Sequence, residues 1–447
     1  MKRLLALLLL VMLATQGLFA LGQEEAPEAG VSTLTWWHYG SGLAGKAVDS
    51  IVQEFNETVG KEKHIQVNAV FQGKANDVLT KTKAILQSGS TKDLPGLAQF
   101  DGSAVLDIRD VPSLIPMEDL AVQDGYDLTQ LLEAARLSVT YKNKMIAMPF
   151  NSSTILLYYN KTAFDEAGIA TPPTTLAELG NVAKALMQKD EKGNITRYGF
   201  ANVPTTYELI VWLGQQNGLS YITDNENGHL GNPTKVLFDE NGTMVNFLTR
   251  WKDLYATGAV ENLTSDVNGA FASGRVAMIV ASTSKLTTIH SMVADRFEVG
   301  VANFPAVDEQ ATGGVNVGGG AIYAFDNQSG NGDAAWEFVK FATSPEQQFN
   351  WHIATGYFPV HHGTYSMDAF QKHIEENPHY RVAIEQLMES NPKMQGIWVP
   401  SAYQIYYAFQ SGILRMLEDD LSPEETSKAL AQEINGYFEE YLRMQGE

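Results

Sequence analysis

The 447-residue sequence contains no cysteine. This absence excludes disulfide bonds, a thiolate nucleophile, metal sites held by thiolates and an anchor on a lipid-modified cysteine. Basic residues are also scarce, because 31 Lys and Arg stand against 52 Asp and Glu and the formal net charge is −21. Nucleic-acid binding depends on clustered Lys and Arg, so this charge argues against a nucleic-acid partner.

Long apolar runs are missing except near the N-terminus. Lys2 and Arg3 precede an apolar run from Leu4 to Leu13, and small or neutral residues continue to Ala20. This order is typical of a cleavable secretory signal peptide, and the run is shorter than the roughly 18 residues of a membrane-spanning helix. We therefore expect a signal peptide over 1–20, a polar leader over 21–30 and a periplasmic mature protein that is not a lipoprotein. A membrane anchor is the alternative.

Motifs of common enzymes are lacking as well. The sequence has no GxSxG or HExxH pattern, and Ala47 stands where a phosphate-binding loop over Gly40–Ala47 would need a hydroxyl for Mg²⁺. The spacing of His352, His361 and His362 does not place them on one helical face. We predict no catalytic residue, no metal site and no cofactor. No carboxylate pair stands out among 52 acidic residues, so an exported glycan-active hydrolase remains the alternative.

Strand and helix patterns alternate along the chain. Thr33–Tyr39 and Ile65–Phe71 are predicted strands, and apolar residues recur between them at the spacing of an amphipathic helix. A β-α-β unit of this kind forms a parallel sheet, which predicts the α/β class. Capping boxes predict further helix starts at Thr175 with Glu178, Ser344 with Gln347, and Ser422 with Glu425.

Aromatic and small polar residues follow several predicted strands. Aromatic faces stack on sugar rings, hydroxyls and amides bind sugar hydroxyls, and backbone N–H groups bind anionic oxygens. These segments therefore indicate a binding cleft. They are Trp36-Trp37-His38-Tyr39, Asn151-Ser152-Ser153, Ala281-Ser282-Thr283-Ser284, Gly318-Gly319-Gly320 and Thr355-Gly356-Tyr357.

Several of these segments are also specific sequence motifs. They are TWWHYGSG, MPFNSSTILLYYNKTAFDEAGI with PPTT following, FASGRVAMIVASTS, GGGAIY and WHIATGYFPV. Taken in order, they resemble the extracellular solute-binding proteins of ABC importers, in the carbohydrate-type family (family 1). The similarity runs over nearly the whole mature chain.

The resemblance implies an α/β, two-lobed periplasmic-binding-protein fold with a multi-crossing hinge and a ligand cleft between the lobes. Crossings are expected near Pro149, Pro305 and Pro359. The expected lobes are 31–148 plus 306–360, and 149–305 plus 361–447. The implied function is capture of a sugar, polyol, glycerol 3-phosphate or glycerophosphodiester-like solute by a monomer, with delivery to ABC permease transmembrane subunits. A ligand-sensing module that is presented to a receptor is a further alternative.

The resemblance also implies ligand contacts. Five positions match the family motifs: Asp101, Ser153, Ser282, Gly319 and Tyr357. Three positions depart from the family pattern: Ala75 replaces a Tyr, Leu176 replaces a Trp, and Tyr406 replaces an Arg that contacts phosphate. Our predicted ligand-binding residues are therefore Trp36, Trp37, His38, Asp101, Ser153, Ser282, Gly319, Tyr357 and Tyr406.

Overall fold

The computed structural model describes residues 30–203, 206–263 and 265–446. The expected signal peptide over 1–20 and the expected leader, apart from Gly30, lie outside the described residues. Within these described ranges, no helix combines the length and the apolar character that crossing a bilayer requires.

The first lobe is built on a six-stranded sheet with the order β2-β1-β3-β15-β4, in which β7 also pairs with β15. β1, β2 and β3 are parallel, as the β-α-β pattern predicts, and β15 runs antiparallel to β3, β4 and β7. The strands are β1 (Ser32–His38), β2 (Ile65–Phe71), β3 (Leu97–Asp101), β4 (Leu114–Ile115), β7 (Met148–Ser153) and β15 (Gly318–Phe325).

The second lobe is built on a five-stranded sheet with the order β12-β11-β13-β8-β14. β8 is antiparallel to both β13 and β14, whereas β11 is parallel to β12 and β13. The strands are β8 (Ile155–Asn160), β11 (Phe200–Ala201), β12 (Val260–Glu261), β13 (Met278–Ser282) and β14 (Val299–Asn303). Two small hairpins complete the strands: β5 (Thr140–Tyr141) with β6 (Lys144–Met145), and β9 (Gln188–Lys189) with β10 (Ile195–Arg197).

The chain passes between the two sheets more than once. The first passage is at Thr154, because β7 ends at Ser153 in the first sheet and β8 begins at Ile155 in the second. The pairing of β7 with β15 therefore keeps residues 148–153 in the first sheet, a few residues beyond the crossing expected near Pro149. A return passage lies between β14 and β15. The predicted two-lobed α/β fold is confirmed, while the assignment of every other segment to a lobe stays a prediction.

Helices cover both sheets. In α1 the buried residues Val48, Ile51, Val52 and Phe55 recur at the spacing that the sequence predicts. The helices are α1 (Gly42–Glu57), α2 (Val59–Lys63), α3 (Ala75–Ser88), α4 (Val105–Ile108), α5 (Met117–Asp124), α6 (Glu133–Leu137), α7 (Lys161–Glu166), α8 (Leu176–Leu186), α9 (Thr206–Gly214), α10 (Thr243–Ala256), α11 (Val267–Ala272), α12 (Leu286–Val293), α13 (Gly332–Ala342), α14 (Pro345–Thr355), α15 (His362–Tyr365), α16 (Asp368–Glu376), α17 (His379–Glu389), α18 (Ala402–Glu418) and α19 (Pro423–Gln445).

The capping residues predicted from the sequence begin three of these helices. The side chains of Thr175, Ser344 and Ser422 each accept a hydrogen bond from the backbone N–H three residues later. At Ser422 the reciprocal bond is also present, because Glu425 Oε2 accepts from the Ser422 backbone N–H at 3.2 Å. These three helix starts are therefore confirmed, since the caps satisfy backbone donors that have no partner within the helix.

Candidate functional site

A cavity of about 420 Å³ lies between the two lobes, and residues of both line it. On the first lobe, Tyr39 directly follows β1 and Asp101 ends β3. On the second lobe, Ser282 ends β13 and faces the same space, and the helical residues Tyr207 of α9 and Tyr406 of α18 line it as well. Ligands of open α/β sheets bind outside the carboxyl ends of the strands, which is where Tyr39 and Asp101 lie. This cavity is therefore the candidate ligand site.

The structure brings together six of the nine residues predicted from the sequence. They come from six separate segments, and each of them lines the cavity. They are Asp101, Ser153, Ser282, Gly319, Tyr357 and Tyr406. Their contact with a ligand stays a prediction. Ala75 and Leu176, the other two departures from the family pattern, are not among the lining residues. Ala75 begins α3, and Leu176 is buried at the start of α8.

Trp36, Trp37 and His38 do not line the cavity, which corrects the prediction for this motif. Alternation along β1 turns Trp36 and His38 toward the buried face, and Trp37 toward the opposite face. Trp36 is fully buried, and its ring centroid lies 5.3 Å from that of Phe338. These side chains therefore serve the core, and Tyr39, the residue after the strand, reaches the cavity in their place.

A chain of hydrogen bonds holds Tyr39 in position. Asn151 Nδ2 donates to the Tyr39 hydroxyl oxygen at 3.1 Å, and Gln99 Nε2 donates to Asn151 Oδ1 at 2.8 Å. The Tyr39 backbone N–H donates in turn to Gln99 Oε1 at 3.2 Å. Burial raises the pKa of Tyr39 well above its usual value, so the phenol stays protonated. Because its oxygen already accepts from Asn151, its O–H proton can be donated to a ligand.

Asp101 supplies the carboxylate of the cavity. Both the backbone N–H of Ser103, at 3.0 Å, and the Ser103 hydroxyl donate to Asp101 Oδ1. Burial raises the pKa of the Asp101 carboxyl, and the two bonds from Ser103 act in the opposite direction. Since both bonds reach Oδ1, Oδ2 can accept from a ligand hydroxyl or ammonium group.

The three glycines at the start of β15 form a backbone surface in the cavity. Gly319 has φ of 95°, and a Cβ there would collide with the Asn151 carbonyl oxygen. A Cβ on Gly318 would meet the Tyr207 ring, and one on Gly320 would meet the Tyr39 hydroxyl. Only glycine allows this close approach of the neighbouring groups, which explains the GGG motif.

Tyr357 is supported by the two residues that begin the WH…TGY motif. Its ring stacks on Trp351 with centroids 5.7 Å apart and an angle of 21° between the planes. His352 Nδ1 lies 2.7 Å from the Tyr357 carbonyl oxygen, so the neutral ring donates through Nδ1. Within this motif, Tyr357 therefore lines the cavity, and Trp351 and His352 hold it in position.

Serine and tyrosine side chains supply further hydroxyl groups to the cavity. The Ser282 and Ser284 hydroxyl oxygens are 3.1 Å apart, and Ser282 Oγ accepts from the Ser284 backbone N–H at 3.3 Å. The Tyr207 hydroxyl has two carbonyl oxygens as acceptors for its proton, that of Asn316 at 3.2 Å and that of Ser153 at 3.3 Å. Burial raises the pKa of both Tyr207 and Tyr406, so these phenols are neutral.

The cavity is aromatic and nearly uncharged. Among the described residues that line it, Asp101 is the one acidic residue and none is Lys, Arg or His. Eight lining residues are aromatic: Tyr39, Phe100, Tyr207, Tyr323, Tyr357, Trp398, Tyr403 and Tyr406. Such a surface can stack on apolar faces and exchange hydrogen bonds with hydroxyls, but it offers no cationic group to an anion.

Sequence reasoning missed Tyr207, Trp398 and Tyr403. Tyr207 lies in an apolar stretch that is typical of a core helix, and Trp398 follows no predicted strand, so neither carried a signal. Tyr403 could have been found, because it precedes Tyr406 by three residues and therefore lies on the same face of α18.

Two α/β lobes that enclose a polar and aromatic cavity define a cleft-type binding protein for small solutes. The sequence profile of the bacterial extracellular solute-binding proteins matches residues 50–380 of this chain, which is more than half of it. The chain belongs to this family, whose members are the solute-binding components of ABC importers. The resemblance seen in the sequence is thereby confirmed.

Individual relatives agree with this assignment. The sn-glycerol-3-phosphate-binding periplasmic protein UgpB of Shigella flexneri is 25% identical over 390 residues, which cover 84% of each chain. UgpB of Mycobacterium tuberculosis, solved in complex with glycerophosphocholine, has a TM-score of 0.76 at 20% identity and covers 92% of this chain and 100% of its own. The cyclic alpha-maltosyl-1,6-maltose binding protein of Arthrobacter globiformis has a TM-score of 0.74 at 23% identity and covers 92% of this chain and 99% of its own. The two solved structures share the fold.

Proposed function

We propose that this protein captures an uncharged sugar or polyol in the cavity between its lobes and delivers it to the transmembrane subunits of an ABC permease. The observation that carries the proposal is the lining itself, with eight aromatic side chains, several hydroxyls and one carboxylate. The ligand is bound without a chemical step.

Each part of the lining suits a sugar ring. Aromatic faces cover its C–H faces, while the Tyr39 phenol donates to a ring hydroxyl oxygen and Asp101 Oδ2 accepts from a ring hydroxyl. Hydrogen bonds to a carboxylate are stronger than those between neutral groups, so Asp101 is the expected anchor.

Glycerol 3-phosphate suits this lining less well. A phosphate dianion is usually held by Arg or Lys, and Tyr406 stands where the family pattern has an arginine. The neutral phenol of Tyr406 cannot replace that charge, and the nearby Asp101 carboxylate repels an anion. We therefore expect weak binding of glycerol 3-phosphate, although the relatives are named for it.

A glycerophosphodiester with a quaternary ammonium group is the second candidate. Aromatic faces with a carboxylate beside them recognise such cations, and Asp101 lies among the aromatic residues of this cavity. The structure of the Mycobacterium tuberculosis protein with glycerophosphocholine supports the same candidate. Such a ligand carries one phosphate charge in place of two.

The remaining parts of the proposal concern the whole protein. Ligand binding would favour a closed arrangement of the two lobes, with the first crossing at Thr154, and the permease would recognise that arrangement. The proposed mature protein is a periplasmic monomer released by cleavage after Ala20. A glycan hydrolase would need two carboxylates flanking its substrate, and Asp101 is the one carboxylate among the described lining residues.

Isothermal titration of the mature protein with maltose, glycerol, glycerophosphocholine and glycerol 3-phosphate tests this proposal. We expect binding of maltose or glycerol and at most weak binding of glycerol 3-phosphate. A hundredfold excess of a bound ligand over its Kd would also add about 2.7 kcal/mol to the free energy of unfolding. Binding of glycerophosphocholine alone would select the second candidate. Tight binding of glycerol 3-phosphate would contradict the proposal.

A further inference from the structure

A second set of contacts joins the two lobes beside the cavity, and it centres on Arg109. This residue follows α4 in the first lobe, and its side chain is buried. Nη1 donates to the Gly228 carbonyl oxygen at 2.6 Å, and Nη2 donates to Asn232 Oδ1 at 2.7 Å. The guanidinium carbon also lies 4.3 Å from the centroid of the Tyr141 ring. Nε donates to Asp110 Oδ2 at 3.3 Å, a longer contact with a carboxylate that is 62% exposed. The two shortest bonds of the Arg109 guanidinium thus go to neutral acceptors in a segment that the expected boundaries assign to the second lobe.

The segment that accepts these bonds has an unusual backbone. Residues 225–228 have φ values of 52°, 51°, 58° and 90°, so four consecutive residues are left-handed. Residues with a Cβ adopt this conformation only where their surroundings hold them in it. Here Asn227 Oδ1 accepts from the backbone N–H groups of Ile222 and Thr223, at 2.7 and 3.1 Å. The Trp398 backbone N–H donates to the Asn227 carbonyl oxygen at 2.8 Å.

His229, which follows this turn, connects it to the cavity. Its Nδ1 lies 3.2 Å from the Thr140 carbonyl oxygen, and its Nε2 lies 3.2 Å from the Gly396 carbonyl oxygen. The expected boundaries assign Thr140 to the first lobe and Gly396 to the second. The Lys142 backbone N–H donates to the His229 carbonyl oxygen at 2.9 Å. The His229 ring stacks on Trp398, with centroids 3.7 Å apart and an angle of 22°. Trp398 lines the cavity.

We propose that residues 225–232 form a clasp that holds the two lobes together, that Arg109 fastens this clasp, and that His229 is a positioning residue for Trp398. Separating the lobes breaks the two bonds from Arg109, the contacts of His229 with the β5–β6 hairpin and the packing around Tyr141. A ligand that packs on Trp398 favours the same arrangement as the clasp. The two therefore stabilise each other, because coupling between sites is reciprocal.

The clasp can be tested without any ligand, by measuring the distance between the lobes. The chain has no cysteine, so Asn76→Cys in α3 and Lys428→Cys in α19 provide two unique positions for spin labels. Pulsed electron resonance on the labelled full-length mature protein then gives the distribution of distances. We expect Arg109→Gln to lower the ratio of short to long distances by more than about tenfold, because the charge is lost from both hydrogen bonds to the clasp.

Arg275→Gln is the matched control, because Arg275 pairs with Glu261 inside the second lobe. It should leave the distances unchanged. Asn232→Ala removes one acceptor of the clasp and should change the ratio in the same direction as Arg109→Gln, by a smaller factor. If Arg109→Gln does not fold, the distances measured in Asn232→Ala test the clasp in its place. Unchanged distances in the folded clasp variants would overturn the proposal. Because no ligand is added, this result does not depend on which solute the cavity binds.

Discussion

The two walls of the cavity differ in the kinds of groups that line them. The first lobe presents backbone and short polar groups that are already fixed, namely the glycines of β15, the Gln99–Asn151–Tyr39 network and Asp101 with Ser103. The second wall consists of Tyr207, Tyr403 and Tyr406 from helices, with Trp398 beside them, and the expected boundaries assign these residues to the second lobe. The first wall can therefore fix the orientation of a ligand, while the second covers its apolar faces as the lobes close.

Gly319→Val is the substitution expected to disturb the first wall most. The positive φ and the nearby Asn151 carbonyl oxygen leave no room for the new side chain, so the first wall must shift. We expect loss of ligand binding and a decrease of at least about 2 kcal/mol in the free energy of unfolding. Urea unfolding and titration measure the two effects. Gly436→Val in α19, where a Cβ would meet nothing within 4 Å, is the control. Equal behaviour of the two variants would contradict the account of the first wall.

Asp101→Asn tests whether the first wall anchors the ligand. The amide keeps the shape and can still accept from Ser103, but it loses the charge. We expect Kd to rise by roughly ten- to a hundredfold, since bonds to a charged group contribute about 1.5–3 kcal/mol. Isothermal titration measures this change. Asp107→Asn removes a carboxylate that pairs with Lys83 outside the cavity, and it should leave Kd unchanged. An unaltered Kd in Asp101→Asn would remove this residue from the site.

Acidification is expected to lower the free energy of unfolding through two buried histidines, His229 in the clasp and His352 beside Tyr357. Burial lowers the pKa of both His229 and His352 to about 4, from an ordinary value of 6.5. The unfolded chain therefore takes up protons below pH 6.5 while the folded chain does not, and stability falls as the pH drops from 6.5 toward 4. The expected loss is roughly 1.4 kcal/mol per pH unit for each histidine.

Urea unfolding at pH 7 and pH 5 measures this effect in the intact protein. His352→Gln keeps a donor for the Tyr357 carbonyl oxygen but cannot be protonated, so the pH dependence should decrease. His362→Gln, at an exposed position of α15, is the control and should keep the full dependence. A pH dependence that is the same in all three proteins would refute the role of His352.

The smallest expected effects concern single tyrosines of the cavity, Tyr406 of the second wall and Tyr357. Tyr406→Phe keeps the ring and removes the hydroxyl, so Kd should rise only about threefold to tenfold, in line with one neutral hydrogen bond. Tyr357→Ala removes a whole stacked ring and should weaken binding more, with little loss of stability. Titration of both variants against Tyr437→Phe, a tyrosine of α19 outside the cavity lining, measures the difference. A Kd unchanged in Tyr357→Ala would exclude that ring from the site.

The sequence predicted the fold class and the helix starts because those depend on local rules. Alternation, helical periodicity and capping residues are properties of short segments, so the β-α-β beginning and the caps at Thr175, Ser344 and Ser422 could be read directly. The same alternation explains the failure at Trp36, Trp37 and His38. The motif marks the end of a strand, but one position along the chain decides whether a side chain enters the core or the cavity.

The cavity as a whole could not be predicted from residues alone. Asp101, Ser153 and Tyr357 come from distant segments, and only the resemblance to a family indicated that they meet. Trp398 and the contacts of Arg109 had no signal at all, because they depend on how loops of the two lobes face each other. Long-range contacts of this kind are set by the tertiary structure.

The position of β15 has a consequence for the order in which the protein can fold during synthesis. The five strands of the second sheet all lie within residues 155–303, so that sheet is complete once this continuous stretch is available. The first sheet lacks the strand between β3 and β7 until residues 318–325 have emerged. Contacts that close long stretches of chain form slowly. The sheet that the chain begins is therefore the sheet that it completes last, and its unpaired strand edges are exposed in the meantime.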